Sequence, residues 1–209
     1  MKQLVATAGF VLSTALSVYS QTPAPQTSLH PCTLTLAQAP SVRGVRLGMT
    51  VDEFLALFPG SNDDGQVKRA LSQADGYPQF GKAFFGVTPV NYATKDLFGG
   101  ISFYTVQSFD RRIVQLNVIY EGFPNGPKWK NVDDLIQKFA ESFHLPGAKD
   151  WLLEPSTSDR KGLACNGFQV WASTANDRSN LTFFHNDWIP TQKERLARYE
   201  EQKRSEFKP

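Results

Sequence analysis

The clearest hydrophobic pattern in the chain predicts a helix that begins after Thr50. Four apolar residues recur at the spacing of a single helix face: Val51, Phe54, Leu55 and Phe58. Thr50 stands before this run and Glu53 follows three residues later, which is the spacing of a capping box. Met49 and Phe54 stand where the two residues of a hydrophobic staple are found. The sequence therefore indicates both where this helix starts and which face it buries.

Two further helices follow the same period. The first ends at Gly76, because glycine suits a helix C-terminus, and the second starts after Asn131, which can cap the backbone. Their apolar faces consist of Val67, Ala70, Leu71 and Ala74 in the first, and of Val132, Leu135, Ile136, Phe139 and Phe143 in the second.

Alternation of apolar and polar residues predicts strands between these helices. In residues 112–120 apolar side chains alternate with Gln115 and Asn117, which indicates a strand with one buried and one solvent-facing side. Asn166-Gly167 joins two such segments and predicts a hairpin with a type I′ turn. The predicted strands span residues 33–36, 80–87, 101–107, 112–120, 151–154, 163–165, 168–173 and 180–184.

Helices and strands in this order predict an α+β fold, an antiparallel sheet with helices packed on one face. The order also repeats, since helix and then meander occupy residues 32–127 and again residues 128–190. Two tandem units are one interpretation, and a single irregular α+β domain is the other. Residues 191–209 are rich in Lys, Arg and Glu, which predicts a charged, solvated C-terminal helix or tail. A helix that binds a partner is the alternative.

Residues 1–20 have the pattern of an export signal. Met1-Lys2 gives a positive start, and residues 4–18 are apolar or small and carry no charge. This run is too short and too rich in Ser, Thr and Gly for a membrane span, and an uncleaved anchor is the alternative. Residues 21–31 are rich in Pro and Thr, which predicts an extended linker. We therefore expect a secreted or periplasmic protein with no membrane span in the mature chain.

Cys32 and Cys165 are the only cysteines in the chain. In an oxidising compartment an even pair is most simply one disulfide, and two free buried thiols are the alternative. Because the bridge would close a long loop, the chain-entropy model gives it roughly 5 kcal/mol of stabilisation. No His or Cys stands at ligand spacing from either residue, so no metal site is expected here.

Composition and motifs give no sign of catalysis. The formal net charge of +2 is close to neutral, which argues against a nucleic-acid partner or an anionic membrane surface. Residues 62–64 suggest a calcium loop, but Leu71 stands where that loop requires glutamate. His144 is placed at a helix end and His185 after the last strand, and no serine stands in a nucleophile elbow. We expect no catalytic residue, no metal and no cofactor.

Aromatic residues at outward positions predict a binding surface on the sheet. If Phe168 and Val170 face the core, the alternation of the strand turns Trp171 outward. By the same argument Tyr104 lies opposite Phe103, on the open face of the sheet. Such rings suit contact surfaces because they bring large area at low entropic cost. Trp171 and Tyr104 are thus the predicted binding residues, and the alternative is that a helix or the tail covers both rings.

One stretch resembles a known family. Residues 44–54, with the sequence Gly-Val-Arg-Leu-Gly-Met-Thr-Val-Asp-Glu-Phe, and Phe58-Pro59-Gly60 after them resemble the Gly-Met-Thr/Ser helix start of the SmpA/OmlA (BamE-like) envelope modules. The secreted β-lactamase-inhibitory proteins share that architecture, two tandem copies of helices followed by an antiparallel sheet. The resemblance implies a non-enzymatic module that binds other proteins. The motif is structural, so it carries over no functional residue. The chain departs from the family in lacking a lipid-attachment cysteine and a second Gly-Met-Thr.

We therefore expect an exported, non-enzymatic binding module that contacts a protein or peptide partner through a sheet face. A small secreted hydrolase and a structural component of the cell envelope are the alternatives. A pocket with convergent titratable side chains, one of them His144 or His185, favours the hydrolase. A flat aromatic sheet face without such a pocket favours the binding module.

Overall fold

The computed structural model describes residues 32–208, except 78, 123, 156, 176 and 177. The predicted export signal and linker, residues 1–31, lie outside the described residues. The described residues form an α+β fold, which confirms the predicted fold class. The strands are β1 (Cys32–Thr35), β2 (Lys82–Val87), β3 (Ile101–Phe109), β4 (Arg112–Tyr120), β5 (Leu152–Leu153), β6 (Arg160–Asn166), β7 (Phe168–Ser173) and β8 (Asn180–His185). The helices are α1 (Val51–Ala56), α2 (Gly65–Gly76), α3 (Val132–Phe143) and α4 (Trp188–Glu206).

The strands form one sheet in the order β1-β6-β7-β8-β4-β3-β2, and β5 also pairs with β6. β1 runs parallel to β6, and the other described strand pairs are antiparallel. Two meanders, β2 to β4 and β6 to β8, meet side by side at β4 and β8. α1 and α2 precede the first meander, and α3 precedes the second. The order of elements therefore recurs, while the division of the chain into units 32–127 and 128–190 stays a prediction.

One face of the sheet carries the hydrophobic core. Both α1 and α3 pack against it, since the Phe54 ring lies 6.0 Å from that of Phe85 and the Phe139 ring lies 6.0 Å from that of Phe183. A row of buried residues, one on each of six strands, crosses this face: Phe85, Val106, Leu116, Phe183, Val170 and Leu163. Removal of this apolar area from water is the main contribution that stabilises the fold.

The predicted position of Tyr104 on the open face is wrong. Its side chain is fully buried on the core side, where its ring centroid lies 5.8 Å from that of Phe58. Its hydroxyl donates to the Val42 carbonyl oxygen at 3.4 Å, and burial raises the pKa of that hydroxyl. The cause is a β-bulge between Ile101 and Phe103, because one extra residue in β3 reverses which side chains face the helices.

The start of α1 has the predicted cap. The Glu53 N–H donates to Thr50 Oγ1 at 3.1 Å, and the Thr50 N–H donates to Glu53 Oε2 at 2.7 Å. The second bond holds the pKa of the Glu53 carboxyl below its ordinary value. Gly48 has a φ of 77°, which glycine adopts without strain, and its N–H donates to the Ile113 carbonyl oxygen at 2.8 Å. The helix start is therefore tied to the beginning of β4.

The structure has a type I′ turn between β3 and β4, and not at the predicted position between β6 and β7. Asp110 and Arg111, between β3 and β4, have φ values of 48° and 59°, as a type I′ turn requires. In the predicted type I′ turn at Asn166-Gly167, only Gly167 has a positive φ, 86°, so that turn type is wrong. Asn166 stays extended because it belongs to β6 and pairs with Thr35 of β1.

The disulfide between Cys32 and Cys165 is confirmed. The two residues are register partners in the parallel pair of β1 and β6, although they are 133 positions apart in sequence. The bridge therefore fastens the first described strand to β6 at one side of the sheet.

Candidate binding site on the open sheet face

We call the side of the sheet turned away from the core the open face. Its side chains alternate along each strand with the buried ones, across β2, β3, β4, β8 and β7. Six of them carry an amide or a hydroxyl and five are aromatic or aliphatic, so the face mixes hydrogen-bonding groups with apolar area. They are Phe84, Phe103, Thr105, Gln107, Gln115, Asn117, Ile119, Gln169, Trp171, Thr182 and Phe184.

A row of amides and rings crosses the middle of the open face. One residue from each of five strands stands in register along it: Phe84, Gln107, Gln115, Phe184 and Gln169. We call these five residues the amide row. Because neighbouring strands lie ~4.8 Å apart, the row runs across the strands with one side chain at each step.

Two amides at the centre of the amide row are unpartnered within the described part of the chain. Gln107 and Gln115 are register partners on β3 and β4, and neither side chain makes a hydrogen bond to a described residue. By contrast, Gln169 at the end of the row accepts a bond of 3.3 Å from Trp171 Nε1. A primary amide has two N–H donors and one carbonyl oxygen. The centre of the open face therefore offers both donors and acceptors to a partner.

Trp171 lies on the open face, as the alternation of β7 predicts. Its ring rests on Gly162 of β6, where an added Cβ would stand 2.9 Å from each of three ring atoms. The Arg160 guanidinium carbon lies 4.8 Å from the ring centroid, and Arg160 also pairs with Glu154 at 3.2 Å. Trp171 is therefore half-buried, and one side of its ring is occupied by Gly162. Its role in binding stays a prediction.

Sequence reasoning did not single out the residues of the amide row. The alternation in β4 placed Gln115 on the solvent side, but nothing local marks Phe84 or Phe184 as its neighbours. Phe84 is 64% exposed, which makes it the most accessible ring of the open face. Only the order and register of the strands bring these side chains together, because they come from five different strands.

The open face carries no carboxylate among its described residues, and the two cations at its margins are engaged. The Lys82 ammonium lies 4.7 Å from the centroid of the Trp188 ring, and partial burial lowers its pKa. Arg160 is paired with Glu154. A partner that approaches the middle of this face therefore meets no charged side chain, while the Lys82 charge at the margin has no carboxylate partner among the described residues.

The beginning of α4 borders the open face at one end. The Trp188 ring packs on Phe109 with centroids 5.4 Å apart, and Arg195 donates two bonds of 2.7 Å to the Asp110 carboxylate. Phe109 is only 6% exposed although it lies outside the core cluster, because α4 covers it. No residue of α4 is buried. The charged C-terminal segment is thus a helix that is solvated over most of its length and contacts the sheet through a few side chains.

Among the described residues, neither of the two histidines singled out by the sequence, His144 and His185, lies in a crevice where titratable side chains are hydrogen-bonded to it. The described residues include no group of three or more His, Cys, Asp or Glu side chains that could hold a metal ion. His144 lines a surface crevice with Glu141 and Lys149, and it makes no hydrogen bond to either. His185 Nε2 lies 3.4 Å from Asp187 Oδ2, outside that crevice. A hydrolase therefore stays an alternative prediction.

No protein-family model, curated protein or solved structure matches the chain. Across the part of the chain that the structure describes, no helix combines the length and the apolar character needed to cross a bilayer.

Proposed function

We propose that the protein is an exported, non-enzymatic module that binds a protein or peptide partner on the open face. The observation that carries this proposal is the pair of unpartnered amides, Gln107 and Gln115, held between the rings of Phe84 and Phe184. These half-buried amides form no hydrogen bond that stabilises the fold. A bound partner can supply hydrogen-bond donors and acceptors to both of them.

Rings and amides have complementary effects in such a contact. Burial of Phe84 and Phe184 removes apolar area from water, which is the main source of affinity. The amides of Gln107 and Gln115 discriminate among partners, because a partner that fails to pair with them leaves polar groups desolvated. The core on the other side of the sheet holds these strands in place. Binding therefore costs little conformational entropy of the backbone.

Export is part of the proposal. The bridge between Cys32 and Cys165 is typical of proteins in oxidising compartments, and residues 1–20 have the pattern of an export signal. Together these features support a secreted or periplasmic protein. The resemblance of residues 44–54 to the SmpA/OmlA (BamE-like) modules supports the same view, since it implies a protein-binding module of the cell envelope.

The test is capture of a partner by the full exported chain, immobilised and exposed to envelope extract or culture fluid. Phe84→Ser is expected to reduce capture about tenfold, because it removes the most exposed ring of the open face. Phe207→Ser is the matched control, since Phe207 is 76% exposed but lies beyond the end of α4. Equal capture by the two variants would contradict the proposal.

A further inference from the structure

We infer that the bound segment of the partner is an uncharged, extended stretch of main chain that lies along the amide row. It carries apolar side chains at positions i and i+4 and a small or amide side chain at i+2. This inference rests on the proposed function and specifies the kind of partner that the open face accepts. Three features of the face lead to it: its charge, its unpaired amides and the spacing of its rings.

The charge of the open face restricts the charge that a bound segment can carry. No carboxylate of the described residues lies on the open face, and its two cations stand at the margins. Arg160 is paired with Glu154, and the Lys82 ammonium lies over the Trp188 ring. A charged side chain placed on the centre of the face would lose its hydration without gaining an opposite charge. The segment in contact with the amide row is therefore neutral.

The unpaired amides of Gln107 and Gln115 restrict the backbone conformation of the bound segment. An apolar surface pressed onto Gln107 and Gln115 would remove water from both amides and replace none of their hydrogen bonds. A peptide group has one N–H donor and one carbonyl acceptor, so it can pair with a side-chain amide at both ends. In a helix those main-chain groups are bonded within the helix, whereas an extended segment leaves them free. The amides therefore favour an extended segment.

The spacing of the rings fixes the register. Phe84 and Phe184 are separated by three strand-to-strand steps, on β2, β3, β4 and β8, which is ~14 Å. Four residues of extended chain span ~13 Å, and residues an even number apart point to the same side. Apolar side chains at i and i+4 thus reach the two rings. The residue at i+2 then lies over Gln107 and Gln115, where only a small side chain or an amide leaves the main chain close enough to bond.

The experiment uses the full exported chain and short synthetic peptides with blocked termini as probes. The first peptide has Phe at i and i+4, Asn at i+2 and no charge. One control peptide has the same composition with Phe at i and i+3, and the other has Asp at i+2. Nuclear magnetic resonance follows the side-chain N–H signals of Gln107 and Gln115 during titration. We expect the first peptide to shift both signals and to bind about tenfold more tightly than either control.

Variants of the protein complete the test. Gln107→Leu and Gln115→Leu are each expected to weaken binding of the first peptide about tenfold. Gln137→Leu is the matched control, because Gln137 lies exposed on α3, the helix packed on the core side of the sheet. Its binding is expected to equal that of the unchanged protein.

Three outcomes would overturn the inference. The first is that the peptides with Phe at i+3 and at i+4 bind equally well. The second is that a neutral glucan oligomer, and not the peptides, shifts the Gln107 and Gln115 signals, and the third is that these signals shift only when the protein associates with itself. If the peptides fail while capture from extract still depends on Phe84, the extended segment is wrong and the proposed function stands. If capture does not depend on Phe84, the proposed function itself is wrong.

Discussion

The six-membered ring of Trp171 lies face-on over Gly162, its register partner on β6. An ideal Cβ position on Gly162 is equally distant, at 2.9 Å, from ring atoms Cδ2, Cε2 and Cε3. A point equidistant from three consecutive atoms of a hexagon lies on the axis through its centre, so the glycine faces the middle of the ring. Glycine is thus what lets the indole lie flat on the sheet.

Gly162→Ala is expected to lower the free energy of unfolding by about 1–3 kcal/mol, because the added methyl group overlaps the ring and displaces it. Urea unfolding measures this loss. Gly147→Ala is the matched control, since a Cβ at Gly147 would meet no atom within 4 Å. The same substitution in a Trp171→Ala background should cost much less. An equal cost in both backgrounds would show that the backbone, and not the ring, requires glycine.

Tyr104→Ala is expected to lower the free energy of unfolding by about 3–5 kcal/mol, because it empties a fully buried ring position. Tyr104→Phe should cost about 1 kcal/mol or less, since it removes only the long bond to the Val42 carbonyl oxygen. Tyr77→Ala is the exposed control, because Tyr77 is 58% exposed. If Tyr104→Ala proved as mild as Tyr77→Ala, the ring would belong at the surface after all.

Helix starts and the disulfide were predictable because their determinants are local or few. The caps at Thr50 and Asn131 depend on groups within four residues, and two cysteines allow one pairing. The face of Tyr104 was not predictable, because apolar residues occur on both sides of β3. The side that faces the helices depends on a bulge, and a bulge exists only relative to the partner strand.

The amide row lies beyond sequence reasoning for a related reason. Phe84 and Phe184 come from opposite meanders, and they share a row only because β4 lies beside β8. Alternation in one strand shows which side a residue takes, but it does not show which residues of other strands lie next to it. Only the strand order and register determine these neighbours, and both depend on segments that are far apart in sequence.

Alkaline pH is expected to destabilise the protein through Tyr104 and Tyr120, because desolvation raises the pKa of both hydroxyls. Burial raises the pKa of Tyr120 to about 12, whereas an unfolded tyrosine ionises at pH ~10. As the pH rises, the unfolded chain therefore releases its protons first, and this favours unfolding. The contribution is fully present below pH ~10 and is lost as the pH approaches ~12. The urea midpoint of Tyr120→Phe should fall less steeply in this window, and that of the exposed control Tyr77→Phe should follow the unchanged protein.

Thr50→Ala is expected to lower the free energy of unfolding by about 1 kcal/mol through loss of the cap on α1. The Glu53 carboxylate accepts from the Thr50 N–H, and this holds its pKa low, so its contribution exists above the ordinary glutamate pKa. Acidification protonates Glu53 and removes that contribution as the pH falls. Glu53→Gln keeps an acceptor without a charge and should lose this acid dependence. An unchanged unfolding midpoint for Thr50→Ala would mean that α1 is not stabilised at this end.

Arg195→Ala is expected to release α4 from the sheet with little loss of global stability. The ion pair with Asp110 is partly exposed, since the Arg195 and Asp110 side chains are 30% and 50% accessible, so its removal should cost about 1 kcal/mol or less. No residue of α4 is buried, however, and the Arg195 guanidinium carbon also lies 4.9 Å from the centroid of the Phe109 ring. Hydrogen exchange should therefore quicken in α4 and stay unchanged in β3 and β4.

Arg198→Ala is the matched control for this release, because Arg198 pairs only weakly, at 3.8 Å, with Glu194 of the same helix. Its exchange should match that of the unchanged protein. Unchanged exchange in Arg195→Ala would instead show that the ring contacts of Trp188 with Phe109 and of Tyr199 with Phe80 are enough to hold the helix. Where α4 is released, Phe109 becomes accessible beside Gln107, so the variant should also enlarge the open face at the end that α4 covers.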